Sequence, residues 1–129
     1  MNDDLYREEL MEHYRYPRNK KKVENPDFEA ANSNTGCGDF VSISGKVDNG
    51  KISDIGFEGV GCVMSQAVAS LMTDFFRGKE VDTILALPES EFLKEMKLNV
   101  GPARSKCVLL PFRVLKIALD NYRKMKKGI

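Results

Sequence analysis

The sequence predicts a small mixed domain of helices and one antiparallel hairpin, and three patterns carry that expectation. Residues 3–14, "DDLYREELMEHY", put Tyr6, Leu10, Met11 and Tyr14 at i, i+4, i+5 and i+8, one face of a helix that Pro17 ends. From Phe40 to Val47 the apolar residues Val41, Ile43 and Val47 alternate with Ser42, Ser44 and Lys46. Asn49-Gly50 then supplies the favoured pair of a type I′ turn before a second strand over Ile52 to Phe57. Beyond it the period changes. In "GVGCVMSQAVASLMTDFFRG" the residues Val63, Ala67, Ser70, Leu71, Asp74 and Phe75 trace a mostly apolar helical stripe, Cys62 opens the helix and Gly78 stops it.

The remaining elements follow from weaker signals. A third strand is expected between Lys22 and Thr35, where Val23, Phe28 and Ala30 hint at it. Two short helices are expected over Val81 to Ala86 and Pro88 to Met96, the second with proline in its first turn. A last helix carries Val114, Leu115, Ala118, Leu119 and Tyr122. Proline in a helix interior loses a hydrogen bond and clashes with the preceding turn at about 3 kcal/mol or more, whereas in the first turn its missing N–H had no intrahelical partner. Pro111 therefore places the start of this helix near Cys107.

A chain of 129 residues is expected to form a single domain over residues 1–129. It buries roughly 68% of its unfolded surface without disulfide or metal staples. Lys plus Arg number 20 and Asp plus Glu 19, so no global field points to nucleic acid or a membrane surface. The clusters Lys20 to Lys22 and Arg123 to Lys127 read as solvated ends. With no basic-then-apolar leader and no apolar run near the roughly 20 residues of a membrane span, a cytoplasmic location is expected. The 3 cysteines are an odd count that does not suit a disulfide framework, and reduced thiols are free to bind metal or carry sulfur.

The chemistry concentrates at three places. "NTGCGD", Asn34 to Asp39, sets a thiol and a carboxylate two residues apart between glycines that strip away side-chain cover. Cys62 and Cys107 are each expected at a helix N-terminus, where the partial positive charge favours the thiolate, and Arg104 and Lys106 would add to it at Cys107. Together Cys37, Asp39, Cys62 and Cys107 are a full tetrahedral set for zinc or an open-ended set for an iron–sulfur cluster. There is no C-x-x-C, and Cys62 and Cys107 are 45 positions apart, so only the tertiary fold could assemble such a site. His13, the 1 histidine, reads as structural or surface rather than a ligand.

These residues resemble the IscU/NifU N-terminal family of iron–sulfur cluster assembly proteins, with its SufU branch. The resemblance runs from "LMEHYRYPRN" (Leu10 to Asn19) through "CGD" (Cys37 to Asp39) and "GVGCVMSQAVASLMT" (Gly59 to Thr73) to "ARSKCVLLPFRVL" (Ala103 to Leu115). It implies an α+β fold, a small antiparallel sheet of about three strands packed under helices, and a shallow exposed site where Cys37, Asp39, Cys62 and Cys107 converge. It further implies that a cysteine desulfurase delivers sulfur as a persulfide to one of the three cysteines. Iron and sulfide then assemble as a labile 2Fe-2S cluster on the four ligands and pass to apo-acceptor proteins, with no catalytic turnover by the chain itself.

Two departures bear on that picture. The family's scaffold members carry histidine before the third cysteine and, upstream, an L-P-P-V-K segment recognised by an Hsp70-type chaperone. Here the segment reads Leu98 to Cys107, "LNVGPARSKC", so chaperone-assisted release is not expected and any task of that histidine falls to Lys106 or to nothing. Arg104-Ser105-Lys106-Cys107 is similar to the SufU branch, whose members hold zinc and relay sulfur, yet the insertion of that branch between the second and third cysteines finds no room here. A third reading, a domain stabilised by structural zinc, is disfavoured because the core is large enough to stand alone.

Overall fold

The structure is a computed structural model that describes residues 3–34, 38–98 and 100–127. Along the chain it places α1 (Asp3–Arg15), β1 (Phe28–Asn34), β2 (Asp39–Asp48), β3 (Lys51–Val60), α2 (Val63–Phe76), α3 (Val81–Ala86), α4 (Glu89–Glu95) and α5 (Pro102–Lys127). The hairpin forms where the alternation put it. Asn49 and Gly50 both take positive φ, 53° and 76°, the left-handed pair a type I′ turn requires. β2 and β3 pair antiparallel with Ile43 opposite Phe57 and Phe40 opposite Val60, and a register shift at Lys46/Val47 absorbs one bulge.

The third strand is longer than its faint signal. β1 pairs antiparallel with β2 from Phe28 opposite Gly45 to Asn34 opposite Asp39, giving the order β1-β2-β3. Its sequence, "FEAANSN", has no alternation because most of it is exposed, and only Phe28 is buried. Pairing to β2 stabilises this strand, not an apolar face of its own.

One face of the sheet supplies Val41, Ile43, Ile55 and Phe57 to the core, all at most 1% exposed. Helix α5 crosses this core with Val108, Phe112, Leu115 and Leu119 fully buried, and α2 adds Val68, Met72 and Phe76. Phe92 of α4 stacks on Phe112 with ring centroids 4.2 Å apart, while Glu89 grips Arg113 through both carboxylate oxygens, at 2.6 and 3.0 Å. That guanidinium holds the Glu89 carboxyl below its ordinary value.

Three expectations need correction. The buried face of α2 is not the stripe through Val63, Leu71, Asp74 and Phe75. Ser65 to Ser70 are all buried, as are Met72, Thr73 and Phe76, because α1 and α5 both cover this helix. Pro88 caps α4 from just outside it. Most consequentially, α5 starts at Pro102, five residues before the expected start, and Pro111 lies inside it. Pro102 takes the first helical position, and the Ser105 N–H reaches Gly101 O at 3.1 Å to begin the ladder. Val108, Leu109, Leu110 and Phe112 are all buried around Pro111. At about 1.5–3 kcal/mol each their burial outweighs the roughly 3 kcal/mol of an interior proline.

α1 is held differently from the apolar face expected of it. Leu10 and His13 are its buried residues among those whose side chains are described, while Tyr14 and Tyr16 are exposed. His13 Nδ1 lies 2.8 Å from Ser70 Oγ, which also accepts the Arg18 N–H at 2.7 Å, so this hydroxyl can give its own proton to the neutral ring. Burial first, then the Arg18 charge, lowers the His13 pKa from its ordinary 6.5. The unfolded chain then binds this proton more readily than the folded one, so the neutral ring's contribution is intact above 6.5 and is lost as pH falls through and below it. Chemical denaturation between pH 7.5 and 5 should show stability falling with pH, and His13→Asn, which can still accept from Ser70 but does not titrate, should flatten that slope; an unchanged slope would assign the loss to other groups.

Candidate functional site

Asp39, Cys62 and Cys107 each offer a ligand atom, and these atoms all lie within 4.8 Å of one another. Three unconnected pieces of chain deliver them. Asp39 is the first residue of β2, Cys62 is the N-cap of α2, and Cys107 lies on α5. Cys37 and the side chain of Arg104 lie outside the described residues. Lys106 is exposed and, among the described residues, makes no hydrogen bond or ion pair to the other three.

Cys62 behaves as a capping residue. Its extended backbone (φ −70°, ψ 157°) lets Sγ accept the Ser65 N–H at 3.4 Å, the bond that serine or aspartate makes at an N-cap. Ser65 Oγ in turn donates to Cys62 O at 3.1 Å. The helix end thus places a donor and the positive end of its dipole at the sulfur.

Cys107 does not sit that way. With α5 starting at Pro102, Cys107 falls in the second turn, beyond the reach of the dipole argument, which fades after the first turn. Its contribution is positional. The apolar run that buries Val108 to Phe112 turns the thiol inward, 7% exposed, toward the first turn of α2. Cys62, Val63, Met64 and Cys107 line a cavity of about 260 Å³ beside the two sulfurs.

Asp39 is 1% exposed, the most buried of the three. A carboxylate this deep must be bonded. Oδ1 accepts the Cys62 N–H at 2.6 Å and Oδ2 faces Cys62 Sγ at 3.6 Å. The expected shallow, exposed site is therefore corrected for these three: Asp39 and Cys107 are buried and Cys62 is half-buried. Sequence reading missed Gly61 and Ser65. The first has φ +138° and abuts Asp39, and the second binds Cys62; "G-x-G-C-x-x-S" carried both, but only their partners in space give them roles.

Residues 5–128 match the NifU-like N terminal domain. The chain belongs to the NifU-like N-terminal domain family. This NifU-like domain is 34% identical, over an alignment 133 positions long, to the zinc-dependent sulfurtransferase SufU of Bacillus subtilis (strain 168), covering 88% of each chain. It is also 34% identical, over an alignment of the same length, to the iron-sulfur cluster assembly scaffold protein IscU of Thermotoga maritima, covering 91% of this chain and 94% of that one. The crystal structure of FiSufU from Fervidobacterium islandicum AW-1 superposes with a TM-score of 0.72 at 27% identity, over 92% of this chain and 99% of that one. The α+β fold and the family resemblance read from the sequence are thus borne out. Among the described residues no helix is long and apolar enough to cross a membrane.

The capping geometry makes a prediction for the metal-free protein. Cys62→Ala removes an N-cap and should cost about 0.5–2 kcal/mol in urea denaturation, whereas Cys62→Ser keeps a capping oxygen and should cost less. Equal losses would show that the cap adds nothing.

Proposed function

We propose that this NifU-like domain is an iron–sulfur scaffold: it accepts sulfur from a cysteine desulfurase, assembles a labile 2Fe-2S cluster as cargo, and hands the cluster to apo-proteins. The observation that carries the reading is the convergence of Asp39, Cys62 and Cys107 within 4.8 Å, a mixed sulfur and oxygen set assembled by the fold. Cys37, two residues before Asp39, completes the set with a third thiolate. Two sulfurs and a carboxylate suit iron or zinc as donors, and the scaffold name of the Thermotoga relative agrees with iron.

Sulfur enters by exchange. A thiolate of the site attacks the outer sulfur of the desulfurase persulfide, the S–S bond breaks, and the desulfurase leaves as its own thiolate. Reducing the transferred sulfur to sulfide takes two electrons from an external thiol or ferredoxin-type reductant. The domain turns over nothing by itself; it holds and releases. A carboxylate oxygen is a harder and weaker partner for the cluster than a fourth thiolate, so Asp39 is the ligand that makes the cluster transferable. A cytoplasmic location fits this work, since the thiols must stay reduced.

A second reading, a zinc-dependent sulfur relay, is favoured by one observation: the equal 34% identity to the Bacillus zinc-dependent sulfurtransferase, alongside the local run Arg104 to Cys107. In that reading zinc occupies the same four residues and no cluster forms. The test is anaerobic incubation of the metal-free protein with ferrous iron, cysteine and a desulfurase, followed by an apo-ferredoxin. Near-equal bound iron and acid-labile sulfide that then move to the ferredoxin are expected. No cluster, with desulfurase turnover accelerated by the zinc-loaded protein, would establish the relay instead. Asp39→Ala should retain its cluster longer than the parent; release at the parent rate would remove Asp39 as the source of lability.

A further inference from the structure

We infer that Gly61 is a positioning residue for the Asp39 carboxylate, fixing it as a one-oxygen ligand that presents Oδ2 while Oδ1 stays on the Cys62 amide. The inference rests on the reading of Asp39 as a ligand and adds how it is held. Gly61 has φ +138°, a conformation L side chains rarely adopt, and it directly precedes the cap residue Cys62. A Cβ built on it would overlap Asp39 Oδ1 and lie 2.7 Å from Asp39 Cα and 3.0 Å from Cγ. The bare backbone of Gly61 is thus the wall against which the carboxylate rests.

From this wall the chain turns into Cys62, whose N–H meets Oδ1 at 2.6 Å. Oδ2 is left facing Cys62 Sγ at 3.6 Å, on the side of the thiol group. Oδ1 is thus held by a backbone amide, while Oδ2 accepts only from the Cys62 thiol, a bond that gives way once Cys62 binds metal as the thiolate. Rotation to a two-oxygen grip would break the hydrogen bond from the Cys62 amide inside a site where Asp39 is 1% exposed, leaving that N–H without its partner. Groups that orient ligands in this way typically change metal affinity about 10–100-fold when removed.

The test uses cobalt(II) as the probe, on the full chain. Asp39→Asn can keep the bond from Cys62 N–H while losing the anionic ligand oxygen, and Gly61→Ala keeps the carboxylate but displaces it. Both should weaken cobalt binding about tenfold or more and alter the d–d bands in the same way, with sulfur-to-cobalt charge transfer retained and no multiplied loss in the double variant. A parent-like d–d spectrum in Gly61→Ala would overturn the inference. A parent-like spectrum in Asp39→Asn would instead remove the carboxylate from the ligand set and overturn the reading beneath it. Stability supplies a second measure. Gly61→Ala should lower Tm less in an Asp39→Ala background than in the parent, because the overlap with the carboxylate is gone while the close approach to the residue 39 Cα and the φ strain remain. Equal losses, failure of both to fold included, would leave Gly61 a backbone role only.

Discussion

The bond from the Cys62 N–H to Asp39 Oδ1, 2.6 Å long, is the contact on which the rest of the site depends. It joins the start of β2 to the start of α2, 23 positions apart in sequence, and fixes a carboxylate and a thiol in one geometry. Both ends are secured by the body of the fold. β2 is the central strand, held on both edges by β1 and β3, and α2 is buried between α1 and α5. A carboxylate placed on a central strand can be buried because the neighbouring helix end supplies its hydrogen bond. The same helix end supplies a donor to the sulfur beside it.

The apolar core stands apart from the candidate ligands. The large side chains that close the core, Phe57, Phe92, Phe112, Ile43 and Met72 among them, are at most 1% exposed and none is a ligand. In small metal-dependent domains the binding energy is folding energy, and the ligands are brought together only by the ion. Here apolar packing of α5 against the sheet and α2 carries Cys107 to Cys62.

Much of this was legible in the sequence where a local rule acted alone. The Asn49-Gly50 turn, the alternation of Val41 and Ile43, and the thiol at the head of α2 needed no tertiary information. The start of α5 was hidden because two prolines competed for one rule: Pro102 takes the first-turn position, and the burial surrounding Pro111 overrides its cost. β1 was faint because β2, not its own side chains, holds it in place. Convergence of Asp39, Cys62 and Cys107 could be expected from the family resemblance, yet their burial could not. That depends on how closely α2 and α5 approach, which no single segment encodes.

The central claim is a mixed ligand shell, sulfur with one carboxylate oxygen, assembled by tertiary packing. X-ray absorption at the zinc edge of the zinc-loaded protein tests it most directly. The account predicts three sulfurs at about 2.3 Å and one oxygen at about 2.0–2.2 Å. A shell of four sulfurs, or one containing an imidazole nitrogen, would contradict it, since the first needs a cysteine from a second copy and the second needs His13, which is buried against Ser70.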